Sequence, residues 1–314
     1  MDKYPSSKIK ISHTGQFFLL IGLVCFGLLL GGMVSFIMIM VTPGASLQGI
    51  TDGDPDMASL ARWMQIISTF VIFAVPALLF KLIVRPGRDF FRFNNKRPLI
   101  LWGLAILIAL ATIPAADLFT WLNQHIPISG GLKTRFEQLE KTYDKQMLFM
   151  LQLDSWGGFL KSLILIALLP AIFEELLFRG CLQQVMVSWL KRPFWAILLT
   201  SIIFSAVHAS YFGFLPRIFI GMILGYVFFY GRNIGLNMII HFINNGLIIT
   251  VMFYQNKTTG SMEDALKSQS ATWMAYLGLV ALIFLFYYFR KVAIHTPPSP
   301  ASSLEDNLSK PFYS

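Results

Sequence analysis

Charge is scarce in this chain: Asp, Glu, Lys and Arg make up 13% of 314 residues, against 55% hydrophobic side chains and a mean hydropathy of +0.63. That balance excludes an ordinary water-soluble globule, whose surface needs far more charge. Short alternating segments are missing as well, which excludes a transmembrane β-barrel. There are only two cysteines, Cys25 and Cys181, both in or beside apolar runs, so neither a disulfide framework nor a CxxC metal site is expected. No HExxH motif is present, no GxGD, and no GxSG within an apolar run. Zincin, intramembrane aspartyl and serine–histidine chemistries therefore lack their residues, and Ser201 and Ser205 read as helix-packing hydroxyls. A net charge of +9 would suggest nucleic acid in a soluble domain. Here the basic residues lie in short loops between apolar runs, where they orient helices, and no nucleic-acid partner is expected.

What is present is a series of apolar runs near 17–41, 61–80, 98–122, 157–175, 194–210, 216–231, 234–254 and 271–289. A helix needs about 20 residues to cross the hydrocarbon core, and backbone hydrogen bonding in lipid favours helices over open sheet. The chain is thus expected to be all-α, a polytopic integral membrane bundle of about eight transmembrane helices. The first run exceeds a signal-peptide core and has no A-x-A site, so it reads as a retained helix. Placing both termini in the cytoplasm puts Lys3, Lys8, Lys10, the cations from Lys81 to Arg97, Arg179, Lys191, Arg192, Arg232, Arg290, Lys291 and Lys310 on the inner side. The positive-inside rule prefers that orientation, and a bacterial inner (plasma) membrane is the expected location.

Loops carry less information. Asp52, Asp54 and Asp56 form DGDPD without the downstream Glu of a calcium loop, and Lys133 to Lys145 mixes charge signs at helical spacing. Both read as solvated faces. The Pro- and Ser-rich tail from Thr296 reads as disordered.

Polar clusters interrupt three of the apolar runs: Glu174, Glu175 and Arg179 in FEELLFRG, Phe204 and His208 in FSAVH, His241 and Asn245 in HFINN. A mid-membrane charge costs roughly 2.5–3.5 kcal/mol on the insertion scale, so such groups need partners, water or a function. Glu175 and Arg179 have the acid-before-base order of a favourable i,i+4 pair. Glu174 then points about 100° away and is free to face another helix. Pro170, one turn earlier, leaves the carbonyl of Ile166 without its N–H and favours a bend. The turn near Lys191 to Pro193 makes the fourth and fifth spans antiparallel and brings Glu174 and His208 to similar depth. His241 and Asn245 share one helical face. One carboxylate, two imidazoles and a carboxamide can therefore converge. Two chemistries suit that set: a metal-free water activated by carboxylate and imidazole, or Zn²⁺ held by Glu174, His208 and His241. A non-catalytic alternative is a proton-coupled transporter or a scaffold with a buried polar core.

The three clusters resemble the motifs EExxxR, FxxxH and HxxxN of the CPBP family, the CAAX-type and bacteriocin-processing (ABI) intramembrane proteases. The resemblance divides the chain into N-terminal helices and loops at 1–154, a catalytic core at 155–255, and a last helix with its tail at 256–314. It implies a prenyl-endopeptidase-like core that hydrolyses peptide bonds. Glu174 and His208 would activate water, His241 and Asn245 would stabilise the oxyanion, Glu175 would belong to the same catalytic set, and Arg179 and Phe204 would support it. It also implies a peptide or protein substrate, membrane-anchored or lipidated, and leaves open whether zinc takes part.

Overall fold

A computed structural model describes residues 11–84, 89–93, 96–151, 153–259 and 272–296, and no strand occurs among them. The Pro- and Ser-rich tail beyond Thr296, expected to be disordered, lies outside the described residues. Among the described residues nine long helices make up the bundle: α1 His13–Val41, α2 Pro55–Val84, α3 Leu99–Gln124, α4 Gly130–Met150, α5 Trp156–Leu190, α6 Pro193–Ala206, α7 Phe214–Gly231, α8 Ile234–Thr259 and α9 Thr272–His295. Seven of them are long and apolar enough to cross a membrane. The expected eight apolar runs are all helical, but α6 has only 14 residues, about 21 Å of helix against a hydrocarbon core of about 30 Å.

That shortness corrects the expected span to residue 210. The α-helix stops at Ala206, and Ala209 takes φ +51° in the left-handed region, a conformation a non-glycine residue adopts at a cost of roughly 1–2 kcal/mol. Backbone outside a helix is tolerated at membrane depth only where protein covers it. Asn123 of α3, 1% exposed, supplies cover: its Nδ2 donates to the carbonyl of Tyr211 (2.9 Å) and its Oδ1 accepts from the N–H of Leu215 (3.1 Å).

A second correction concerns the fourth span, which was read as 157–175. The helix runs unbroken from Trp156 to Leu190. Pro170 does not break it, because a π-helical segment at Leu163–Leu168 precedes the proline, with Leu169 N–H bonded to Ile164 O. Pro76 in α2 is handled in the same way: Phe70–Ala74 is π-helical and Val75 N–H bonds Phe70 O. A further π segment, Phe178–Gln183, carries Arg179. Such bulges concentrate at functional sites because they rotate the side chains that follow.

Two glycines allow close approaches between helices. A Cβ on Gly225 of α7 would lie 2.5 Å from Ile197 Cγ2 of α6, and one on Gly278 of α9 would lie 2.8 Å from Pro114 Cγ of α3. Small-xxx-small spacing, here Gly221 and Gly225, lets membrane helices pack backbone to backbone. At the far end, buried Arg97 donates to the carbonyls of Tyr230, Ala293 and Thr296, tying α3 to the last turns of α7 and α9.

Helix α4 differs from the rest. It is amphipathic, has no buried residue, and is not among the apolar spans. The DGDPD loop is a helix start rather than an ion loop: Asp54 Oδ1 accepts from the N–H of Asp56 at 3.0 Å.

Candidate active site

Helices α5, α6, α7 and α8 bring the three clusters together. Glu175 and Arg179 are both 0% exposed, and the guanidinium NH1 donates to Glu175 Oε1 at 2.8 Å. The expected i,i+4 pair therefore exists. A contact not expected from the sequence joins it: His241 Nδ1 lies 2.9 Å from the same Glu175 Oε1. Arg179 NH2 also reaches the carbonyl of Gly221 at 3.1 Å, and one turn along, Gln183 Nε2 reaches that of Gly225 at 2.8 Å. Asn237 Nδ2 holds the carbonyl of Leu224. These side chains fasten α5 and α8 to the backbone of α7 where its glycines leave the carbonyls accessible.

Phe204 is the hub of the cluster. Its ring lies edge-on to His208 (5.0 Å), His241 (5.8 Å) and Phe178 (5.0 Å), and the Arg179 guanidinium sits over it at 4.9 Å. The FxxxH spacing places the aromatic one turn before the imidazole, so one ring fixes two histidines and a cation.

Glu174 is bonded differently. It is 7% exposed, and its Oε2 is buried with no hydrogen-bond partner. His241 Nε2 lies 3.7 Å from that oxygen and His208 Nε2 lies 3.9 Å from it. The other nitrogen of each ring is committed. His208 Nδ1 is 2.8 Å from the carbonyl of Phe204, which can only accept, and His241 Nδ1 faces a carboxylate. Nδ1 thus carries a proton in both rings, and both Nε2 atoms face Glu174. Asn245, one turn beyond His241 on the same face, is half-buried. Its neighbour Asn244 is buried with both amide atoms unpaired. Ser201 and Ser205 spend their hydroxyls on the carbonyls of Ile197 and Phe214, as packing residues do.

Carboxylate and imidazole donors are chemically suited to zinc. Neighbouring ligands of a tetrahedral site at about 2.0–2.1 Å stand roughly 3.3–3.4 Å apart. The separations here are wider, and among the described residues no group of three or more His, Cys, Asp or Glu side chains is arranged to hold a metal ion. The residues as placed do not fit the metal set.

Sequence reading missed the glycines of α7, although GxxxG in an apolar run signals them. It also missed the neighbourhood of the loop that follows His208. There Ser210 Oγ lies 3.1 and 3.0 Å from the two carboxylate oxygens of Glu140 in α4, and Phe136 stacks on Tyr211 at 4.5 Å.

Comparison with known proteins agrees with the motifs. No curated protein and no solved structure matches the chain. A family model does: residues 156–247 match that described as Rce1-like, type II CAAX prenyl endopeptidase Rce1-like. That segment holds every residue of the three clusters, and the match agrees with the resemblance of their motifs to the CPBP family of intramembrane proteases.

Proposed function

We propose that this protein is an intramembrane endopeptidase of CAAX type, cleaving a lipid-anchored peptide or protein substrate with water activated by Glu174 and His208. The observation that carries the reading is the buried, unpartnered Glu174 Oε2 facing the Nε2 atoms of two histidines at 3.7 and 3.9 Å. Those gaps exceed a direct hydrogen bond and suit a bridging water. Glu174 takes one proton of the water, while His208, its Nδ1–H fixed on Phe204 O, accepts the other hydrogen as a hydrogen bond and orients the oxygen. The water oxygen then bonds to the amide carbon. The oxyanion is met by Nε2–H of a protonated His241, whose charge Glu175 compensates through Nδ1, and by the Asn245 amide. When the C–N bond breaks, Glu174 returns its proton to the leaving nitrogen. Arg179 holds Glu175 in place, and Phe204 holds both rings.

This core, 155–255, operates in a bacterial inner membrane with both termini cytoplasmic. The test is comparative proteomics of membrane fractions, with cleavage assays, for the parent and Glu174→Gln. Substrate accumulation and loss of cleavage in a variant that still inserts and folds support the reading. Unchanged cleavage rejects it, and solute or proton flux in place of cleavage would identify a transporter. Elemental analysis checks the donor set: zinc held stoichiometrically by the parent and lost in His208→Ala and His241→Ala would replace the metal-free chemistry.

A further inference from the structure

The loop between α6 and α7 already holds a carboxylate, and that carboxylate comes from elsewhere in the chain. Glu140 of α4 accepts from the hydroxyl of Ser210 and from the backbone N–H of Phe212, and it lies within the field of Arg217. Ser210 is 5% exposed, and its hydroxyl oxygen also accepts from Gly213 N–H at 3.1 Å, so the donor is fixed in place. Arg217 stands in the first turn of α7 with its guanidinium against Gly213, where a Cβ would collide with it. Its NH1 is buried without a hydrogen-bond partner. On its far side lies the ring of Tyr143, 6.0 Å from the guanidinium carbon.

This seat is close to the water-activating groups. Ser210 follows His208 by two residues, which limits their Cα separation to about 7 Å. Arg217 precedes Gly221 by four residues on one face of α7, about 6 Å along the axis. Gly221 is the residue whose carbonyl Arg179 holds. Arg217 also acts electrostatically on His208. A peptide tail of three residues spans about 10 Å when extended. A tail of that length leaving the scissile bond beside Glu174 and His208 is long enough to bring its end to Ser210 and Arg217.

We propose that Ser210, the Phe212 N–H and Arg217 form the seat for the free C-terminal carboxylate of the substrate, and that Glu140 of α4 occupies it until substrate displaces it. The proposal rests on the peptidase reading above and names what that reading leaves open: recognition of a chain end a few residues beyond the cut. Arg217 is a specificity-determining residue in this account, and Glu140 an internal competitor.

The probe is a pair of S-farnesylated peptides with three residues after the lipidated cysteine, one ending as the free acid and one as the amide. Cleavage by the full-length protein in lipid vesicles gives kcat/KM for each. A charge-assisted hydrogen bond contributes about 1.5–3 kcal/mol, so the parent should favour the acid by about 10- to 100-fold. Arg217→Gln should collapse that ratio toward one, and Arg217→Lys should keep part of it. Glu140→Ala retains Arg217, removes the competing side chain, and should lower KM for the acid several-fold while leaving kcat less affected. Equal cleavage of acid and amide by a parent that Glu174→Gln silences overturns the seat alone. A parent that cleaves neither peptide, or a Glu174→Gln variant as active as the parent, overturns the peptidase reading and the seat with it.

Discussion

Glu175 and Glu174 are adjacent in sequence, yet the layers of the bundle they belong to are bonded differently. Around Glu175, each charged or amide side chain makes at least one direct hydrogen bond, to Arg179, His241 Nδ1 or the α7 carbonyls taken by Arg179, Gln183 and Asn237, although Glu175 Oε2, Arg179 Nε, Gln183 Oε1 and Asn237 Oδ1 are left unpaired. Around Glu174, the carboxylate oxygen and two imidazole Nε2 atoms face one another at distances too long for direct hydrogen bonds. The inner layer closes helix on helix, and the outer layer ends in a turn, a loop and an exposed amphipathic helix. A polar group whose bonds are fixed by the fold holds geometry. One left short of partners beside others of its kind is where a reactant belongs.

The largest expected effect separates the two layers directly. Glu174→Gln keeps the shape of the side chain and removes the base, so cleavage should fall by about 10²- to 10⁴-fold with little change in unfolding stability. Rate assays beside thermal unfolding in micelles check both. A large stability loss with a small rate loss would mean that Glu174 is part of the scaffold.

Arg179→Met makes the opposite prediction. Removing one partner leaves the Glu175 carboxylate buried and under-compensated, which costs roughly 3–5 kcal/mol of stability. The double variant Glu175→Leu, Arg179→Met should recover much of that stability, since a packed apolar pair replaces a buried ion pair. It should not recover activity, because His241 loses the acceptor of its Nδ1–H. Recovery of both would merge the layers and remove the distinction. A smaller effect belongs to the glycines: Gly225→Ala places a methyl 2.5 Å from Ile197 Cγ2 and should cost about 1–3 kcal/mol by overpacking. Ile197→Ala in the same chain should relieve part of it.

The inner layer was the more legible of the two in the sequence. Spacing by four gave Glu175–Arg179 and the 100° offset gave Glu174 its separate direction, because one continuous helix carries all three residues. Apolar runs located the helices for the same reason: burial in lipid leaves few ways to satisfy a backbone. The sequence could not show that π turns would absorb Pro76 and Pro170, since that depends on neighbouring helices holding the bulge. The end of α6 at Ala206 was hidden too. Val207 continues the apolar run, and only the contacts of Asn123 and Glu140 make a loop there tolerable. Glu140 and Arg217 look like ordinary solvated charges in the sequence. Their meeting at Ser210 depends on α4 folding back over the α6–α7 loop.

That meeting yields the smallest effect and the one most specific to the outer layer. Burial pushes the Glu140 carboxyl above its ordinary value. Charge on Asp144 adds to the rise, while the Ser210 hydroxyl, the Arg217 guanidinium and the Phe212 N–H oppose it. A carboxyl whose pKa is raised in the docked state binds its proton more tightly when docked than when free. Its contribution to docking is therefore complete below the ordinary carboxylate pKa and is lost as pH climbs through the raised value. Helix α4 should hold the loop more firmly in mild acid and release it toward neutral pH, where a substrate carboxylate competes for the seat. Deuterium exchange of the amides in 136–145, corrected for the chemical dependence of exchange on pH, should show protection falling as pH rises. In Glu140→Gln, which cannot ionise, the profile should be flat. Parallel profiles for the two proteins would mean that α4 is held by the Phe136–Tyr211 stack alone.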